Sequence, residues 1–259
     1  MRRGCLVFTL EAPALSSNVS VSYRQIGREL SPLLVIDDCL ADPDSLVEFA
    51  KFSEPGTGKG AENLHPVFQQ DKASFYPGLR CPLPDEFGRG LLQQLTPLLH
   101  EYFSQKGDVA FKPLITCLSL ACVKKEQLRP IQSLPHFDDV RNDQLAMVLY
   151  LFKGDLGGTG FYRHVSTGFE RITRTRLPEY APVLKAEAVG AGKGLFGRYM
   201  GRDNVFFDAT DYVEPMFNRA IIYPSNCLHS GVLNNAVNYS SRVNKGRLTA
   251  NMLIICNEV

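Results

Sequence analysis

The rhythm of apolar positions changes near residue 112. Upstream, the run "LLVI" (33–36) reads as a short buried strand. It is followed by "DDCLADPDSLVEFAKF", whose apolar positions fall at helical spacing, with Asp42 able to cap the helix and Pro43 in its first turn. "EPGTGKGAENLHP" (54–66) and "FYPGLRCPLPDE" (75–86) are dense in Gly and Pro and read as irregular, turn-rich passages. Between Asp85 and Phe103, apolar Phe87, Leu91, Leu95, Leu98, Leu99 and Phe103 predict a second helix, which Pro97 should kink or divide. Downstream, short β-like runs succeed one another: "LITCLSLACV" (114–123), "LAMVLYLF" (145–152), "GFYRHV" (160–165), "RAIIYP" (219–224) and "RLTANMLII" (247–255). Strands without long helices between them favour a sandwich or barrel over a parallel α/β sheet.

The pattern therefore predicts one mainly β domain with α additions. Residues 1–111 supply an N-terminal strand and helical support, and 112–256 the β core. Residues 163–216 form a large insertion, too long for a hairpin loop and expected to cover a site. Its arginines and aromatics suit a polar, partly apolar ligand, and the run "VGAGKGLFG" (189–197) offers the backbone freedom of a hinge.

Composition narrows the function. Lys and Arg number 28 against 27 Asp and Glu, and no basic block marks a nucleic-acid or membrane-surface footprint. A small molecule or a peptide is the better expected partner, and a homodimer remains open. Cysteines 5, 39, 81, 117, 122, 227 and 256 are odd in number and contain no CxxC pair, which points to reduced thiols in the cytoplasm. The opening "MRRGCLVFTLEAPALSS" imitates a signal peptide, but Glu11 cuts its apolar run short. No stretch reaches the length of a membrane helix.

The candidate chemistry begins at "SLPHFDD" (133–139). On a strand, positions i and i+2 share a face, so His136 and Asp138 can aim inward together while Phe137 and Asp139 face away. An HxD pair alone is a weak signal. It gains weight from the residues downstream and their order: Tyr150-Leu151, Gly157-Gly158-Thr159, His229, and Gly246-Arg247. In that order residues 112–256 resemble the double-stranded β-helix, a jelly-roll or cupin-like core, of the Fe(II) and 2-oxoglutarate dependent oxygenases, particularly their prolyl-hydroxylase-like branch.

The resemblance implies that His136, Asp138 and His229 ligate Fe(II) and are the catalytic centre. Two imidazoles and one carboxylate on one face leave positions for a 2-oxo acid and O2. It also implies a buried cation for the far carboxylate of 2-oxoglutarate. Arg247 is the choice, with Thr249 on the same strand face and Tyr150 on a neighbouring strand as hydroxyl donors. Arg242 competes from a polar loop. Cys227 shares the parity of His229 and reads as core, while His65, His100 and His164 read as structural. The expected reaction is hydroxylation of a C–H bond. Two alternatives stand beside it: a cupin-like dioxygenase without 2-oxoglutarate, favoured if Arg247 faces solvent, and a non-catalytic β-helix module that binds a partner.

Overall fold

The structure, a computed structural model, describes residues 10–55, 65–71, 74–103, 109–191, 196–201 and 204–258. The first nine residues of the signal-like opening, most of the loop within 54–66, and Gly192–Leu195 of the glycine run fall outside them.

Eleven strands form two antiparallel sheets among the described residues. A hairpin of β1 (Ser20–Ile26) and β2 (Ser31–Asp37) comes first, followed by helix α1 (Asp44–Phe52), β3 (Gln69–Gln70), β4 (Gly78–Pro82), helix α2 (Asp85–Phe103) and the long β5 (Val109–Ala121). Then come β6 (Gln144–Tyr150), β7 (Thr159–His164), helix α3 (Leu177–Gly190), β8 (Phe207–Val213), β9 (Ala220–Pro224), β10 (His229–Gly231) and β11 (Arg247–Glu258). The large sheet runs β1-β2-β9-β6-β11-β5-β4-β3 and the small one β10-β7-β8. His136 bridges to His229 at the free edge of β10 and so extends the small sheet.

From β5 onward the chain alternates between the sheets: β5 large, the His136 segment small, β6 large, β7 and β8 small, β9 large, β10 small, β11 large. That winding is a double-stranded β-helix. The mainly β core with N-terminal helices packed on it is thus as the pattern led one to expect.

Strand alternation divides the apolar residues into layers. Leu118, Leu120, Leu145, Met147, Leu149, Ile222, Leu248 and Ala250 point to the outer face of the large sheet. There they meet Leu46 and Phe49 of α1 and Leu91, Leu95 and Leu99 of α2. Each fully buried Leu or Phe in this layer contributes about 1.5–3 kcal/mol of burial. Asp42 accepts a hydrogen bond from the Ser45 amide at 3.1 Å, capping α1 as its position suggests. Val35, Ala146, Tyr150, Phe161, Ile221 and Tyr223 fill the gap between the sheets. Among the described residues no helix is long and apolar enough to cross a membrane.

Three expectations need correcting. Helix α2 is not divided at Pro97 but runs as one element from Asp85 to Phe103, packed on β5 and β2. The passage 75–86 contains a strand, β4, which pairs with β5 despite Pro77, Pro82 and Pro84. Helix α3, within the segment expected to cover the site, instead packs on the outer face of the small sheet. Its Tyr180 joins Tyr162, Ile172, Phe207 and Leu228 there. His164 and Glu187 tie that helix down, with Nε2 2.7 Å from the carboxylate. The segment between β7 and β8 spans 165–206, and β8 itself pairs with β7.

Candidate metal centre

Backbone pairing places the HxD residues. The His136 amide donates to the His229 carbonyl at 2.9 Å, and the His229 amide donates back to His136 at 2.8 Å. Two residues on, the Asp138 amide donates to the Ser225 carbonyl at 2.8 Å. The segment is extended enough for alternation to hold. Phe137 points outward and packs against Tyr180, at 6.2 Å between ring centroids, while His136 and Asp138 line the space between the sheets.

One ligand-type atom from each of His136, Asp138 and His229 lies within 4.8 Å of the others. The two imidazole centroids are 4.3 Å apart, and His229 Nε2 lies 3.8 Å from Asp138 Oδ2. The Cys227 carbonyl sits 2.9 Å from His229 Nδ1 and can only accept, so Nδ1 carries the proton. That leaves the Nε2 lone pair directed at the other two residues, as a ligand needs. Both His136 and Asp138 face open cavity space while protein encloses them on the remaining sides. Enclosure lowers the His136 pKa well below the ordinary imidazole value, aided by the proximity of His229, should that ring also take up a proton, and by the Arg80 charge. It raises the Asp138 pKa, against the opposing pull of His229 and Arg80. A neutral imidazole is the form that binds metal, and a divalent ion would supply the positive charge that the carboxylate lacks. The donor set therefore fits a first-row metal.

The cavity beside the triad has a volume of about 420 Å³. Its second wall is the inner face of the large sheet, where register aligns Arg80, Ser119, Thr249 and Tyr150 across β4, β5, β11 and β6. Arg247 lies one row away on the same face and is 5% exposed. Its Nε donates to the Gly157 carbonyl at 2.8 Å and its Nη2 to the Gly158 carbonyl at 3.2 Å. Gly157 takes a φ of +91°, and a Cβ there would lie 2.1 Å from the Val232 carbonyl oxygen. Glycine is thus required for the turn that seats Arg247. Nη1 has no hydrogen bond, and Arg247 has no acidic partner, among the described residues.

The remaining sequence candidates divide clearly. Thr249 lines the cavity. Tyr150 is fully buried behind it and its hydroxyl lies 2.7 Å from Thr159 Oγ1, which does line the cavity. Arg242 lies elsewhere, with a side chain 65% exposed and paired to Glu54 at 2.9 Å. Cys227 is core, its thiol pKa pushed up to about 11 by burial. His65 lies 3.0 Å from Ser53 Oγ, and His100 packs edge-on against Phe111. Of the long segment, Tyr199 reaches the cavity, its hydroxyl donating to the Val123 carbonyl.

Tyr76 and Arg80 are not indicated by the sequence, yet both line the cavity. No motif marks them, because they sit in a passage whose prolines read as turns.

Comparison with curated proteins found no match. Among solved structures, the chain is similar to the non-heme alpha ketoglutarate dependent epimerase SnoN from nogalamycin biosynthesis, at 12% identity and a TM-score of 0.38. That match covers 81% of this chain and 70% of SnoN. It is also similar to EvdMO1 at 13% identity and a TM-score of 0.39, covering 93% of this chain and 56% of that one. Residues 17–254 match the family described as "Family of unknown function (DUF6445)", and the chain belongs to that family.

Proposed function

We propose that the protein is an Fe(II)- and 2-oxoglutarate-dependent oxygenase that hydroxylates a C–H bond of a small molecule, amino acid or peptide. The observation that carries this reading is the convergence of two imidazoles and one carboxylate on a single point at the edge of a cavity. His136, Asp138 and His229 would hold the metal, which with the 2-oxo acid would activate O2. The chain's own residues bind and orient. Cys227 fixes the His229 tautomer through its carbonyl, and the paired backbones of 136 and 229 hold both rings in register. Arg247 offers Nη1 and the second Nη2 proton to a carboxylate, with the Thr249 hydroxyl beside it.

Support for 2-oxoglutarate comes from the state of Arg247. A guanidinium buried without an acid carries a desolvation cost that a bound carboxylate would offset. The reading without 2-oxoglutarate is favoured by a solvent-facing Arg247, whereas the residue is buried. The test is anaerobic titration of the apoprotein with Fe(II) and then 2-oxoglutarate. Bidentate chelation gives a metal-to-ligand charge-transfer band that requires both components. Fe(II) binding without that band would remove the cosubstrate from the reading, and no Fe(II) binding would remove the oxygenase.

A further inference from the structure

The cavity holds a second cation that the metal and cosubstrate leave unused. Arg80 rises from β4 on the same sheet face as Arg247, two strands and about two residues away, which is roughly 12 Å from strand spacing and rise. Its Nη1 is held by Asp71 Oδ2 at 3.2 Å, and its Cζ lies 4.9 Å from the centroid of the Tyr76 ring. The head group is therefore positioned from two sides. Yet among the described residues Arg80 Nε and the Tyr76 hydroxyl are both buried without a hydrogen-bond partner, and both residues line the cavity. Two such buried donors cost about 1–3 kcal/mol each, unless an acceptor arrives. Burial pushes the Tyr76 pKa up to about 12, so the hydroxyl keeps its proton and remains a donor. Toward the mouth the lining turns apolar: Phe75, Ile115 and Ile131 are 59%, 50% and 43% exposed. Phe75 is steadied by Arg129, stacked 4.7 Å over its ring, and by Gln132, which donates to its carbonyl.

We infer that Arg80 Nε and the Tyr76 hydroxyl form an anion subsite for the substrate, which is an organic acid with an apolar body lying along Phe75, Ile115 and Ile131. The inference rests on the oxygenase reading and narrows its substrate class. Arg247, which has no acidic partner among the described residues and is more buried than Arg80, keeps the cosubstrate. Arg80 is paired with Asp71 through Nη1 alone and lies beside the apolar mouth, which suits a group arriving with the substrate.

The test is isothermal titration of the full chain with hexanoate and with its uncharged counterpart hexanamide, both alone and with Mn(II) plus 2-oxoglutarate present. Hexanoate is expected to bind about tenfold or more tighter than hexanamide in both conditions. Arg80→Gln should abolish that preference, Tyr76→Phe should reduce it severalfold without disturbing packing, and neither should change 2-oxoglutarate affinity. Equal binding of hexanoate and hexanamide, or no binding of hexanoate, overturns the subsite. So does an Arg80→Gln variant that loses 2-oxoglutarate instead, since Arg80 would then be the cosubstrate's cation. If 2-oxoglutarate binds no form of the protein while the Arg80-dependent preference persists, the subsite stands and the cosubstrate assignment fails.

Discussion

Replacing Arg247 with Met separates the two things this residue does. In the resting protein it satisfies the Gly157 and Gly158 carbonyls at 2.8 and 3.2 Å. Stranding both costs about 2–6 kcal/mol in total. The same change removes a buried charge without an acidic partner among the described residues, whose desolvation penalty is several kcal/mol. The two effects oppose each other, so the cosubstrate-free variant should lie within about 2 kcal/mol of the parent. The difference emerges with 2-oxoglutarate. At a concentration of about 100 times Kd, the parent gains about 2.7 kcal/mol. For a chain of this size that is a rise of roughly 5–10 °C in Tm. Losing a bidentate, charge-assisted contact costs about 3 kcal/mol, or roughly a hundredfold in affinity. At the same concentration the variant then gains only about 0.4 kcal/mol, a rise of roughly 1–2 °C. Far-UV circular dichroism melts with Mn(II) present measure both quantities, and the chain has no tryptophan to follow by fluorescence. A variant that keeps the parent's full cosubstrate-dependent rise refutes Arg247 as the cation.

Three further outcomes are expected from the geometry. Asp138→Ala should weaken Fe(II) or Mn(II) binding by on the order of a hundredfold or more with Tm nearly unchanged, because the side chain faces the cavity and lies 3.8 Å from His229; parent-like metal affinity by titration would count against the triad. Arg242→Ala should cost about 1–2 kcal/mol in denaturant unfolding and leave 2-oxoglutarate binding intact, since it loses the ion pair of an exposed guanidinium with the buried Glu54, whose carboxylate keeps its hydrogen bond from the Val243 amide. Gly157→Ala should cost more than about 2 kcal/mol and weaken 2-oxoglutarate as well, because the new Cβ meets the Val232 carbonyl and displaces the turn on which Arg247 rests; unchanged unfolding would contradict the φ of +91°.

Parts of this site are legible in the chain because alternation is a local rule. His136 and Asp138 share a face with Phe137 opposed, and nothing distant is needed to infer it. The same parity selects Arg247 and Thr249 over Arg242, which lies where no strand pattern runs. Strand β4 is hidden because its prolines mimic turns: Pro77 precedes it and Pro82 closes it near the edge of the sheet. With β4 went Arg80, whose role depends on the four-strand row it shares with Ser119, Thr249 and Tyr150. Strand β1, "SVSYRQI", is an edge strand open to solvent, so burial leaves almost no mark on its sequence. The placement of α3 on the outer face of the small sheet is not readable at all. Composition shows that a segment carries aromatics, but which face of a sheet they meet is decided by residues such as Tyr162 and Leu228 far along the chain.

The division of labour between the sheets explains how few residues specify the site. The candidate metal-ligand set comes from the small sheet, where reciprocal hydrogen bonds between 136 and 229 make the two histidines directly opposed partners. The cations come from the large sheet, where rows across β4, β5 and β11 set the offset between Arg80 and Arg247. Backbone register sets where each of these side chains leaves its strand, and contacts such as Asp71 and Tyr76 on Arg80 then place the head group. The dependence is also sharp. Slipping the 136–138 segment by one residue would turn Phe137 into the cavity and both ligands out toward Tyr180, a change of face for every side chain at once. The anchors against that slip are the 136–229 pair, the Asp138 amide on Ser225, and Phe137 packed against Tyr180 of α3. The long segment therefore bears on the metal centre from behind, by fixing the register of the residues that form it.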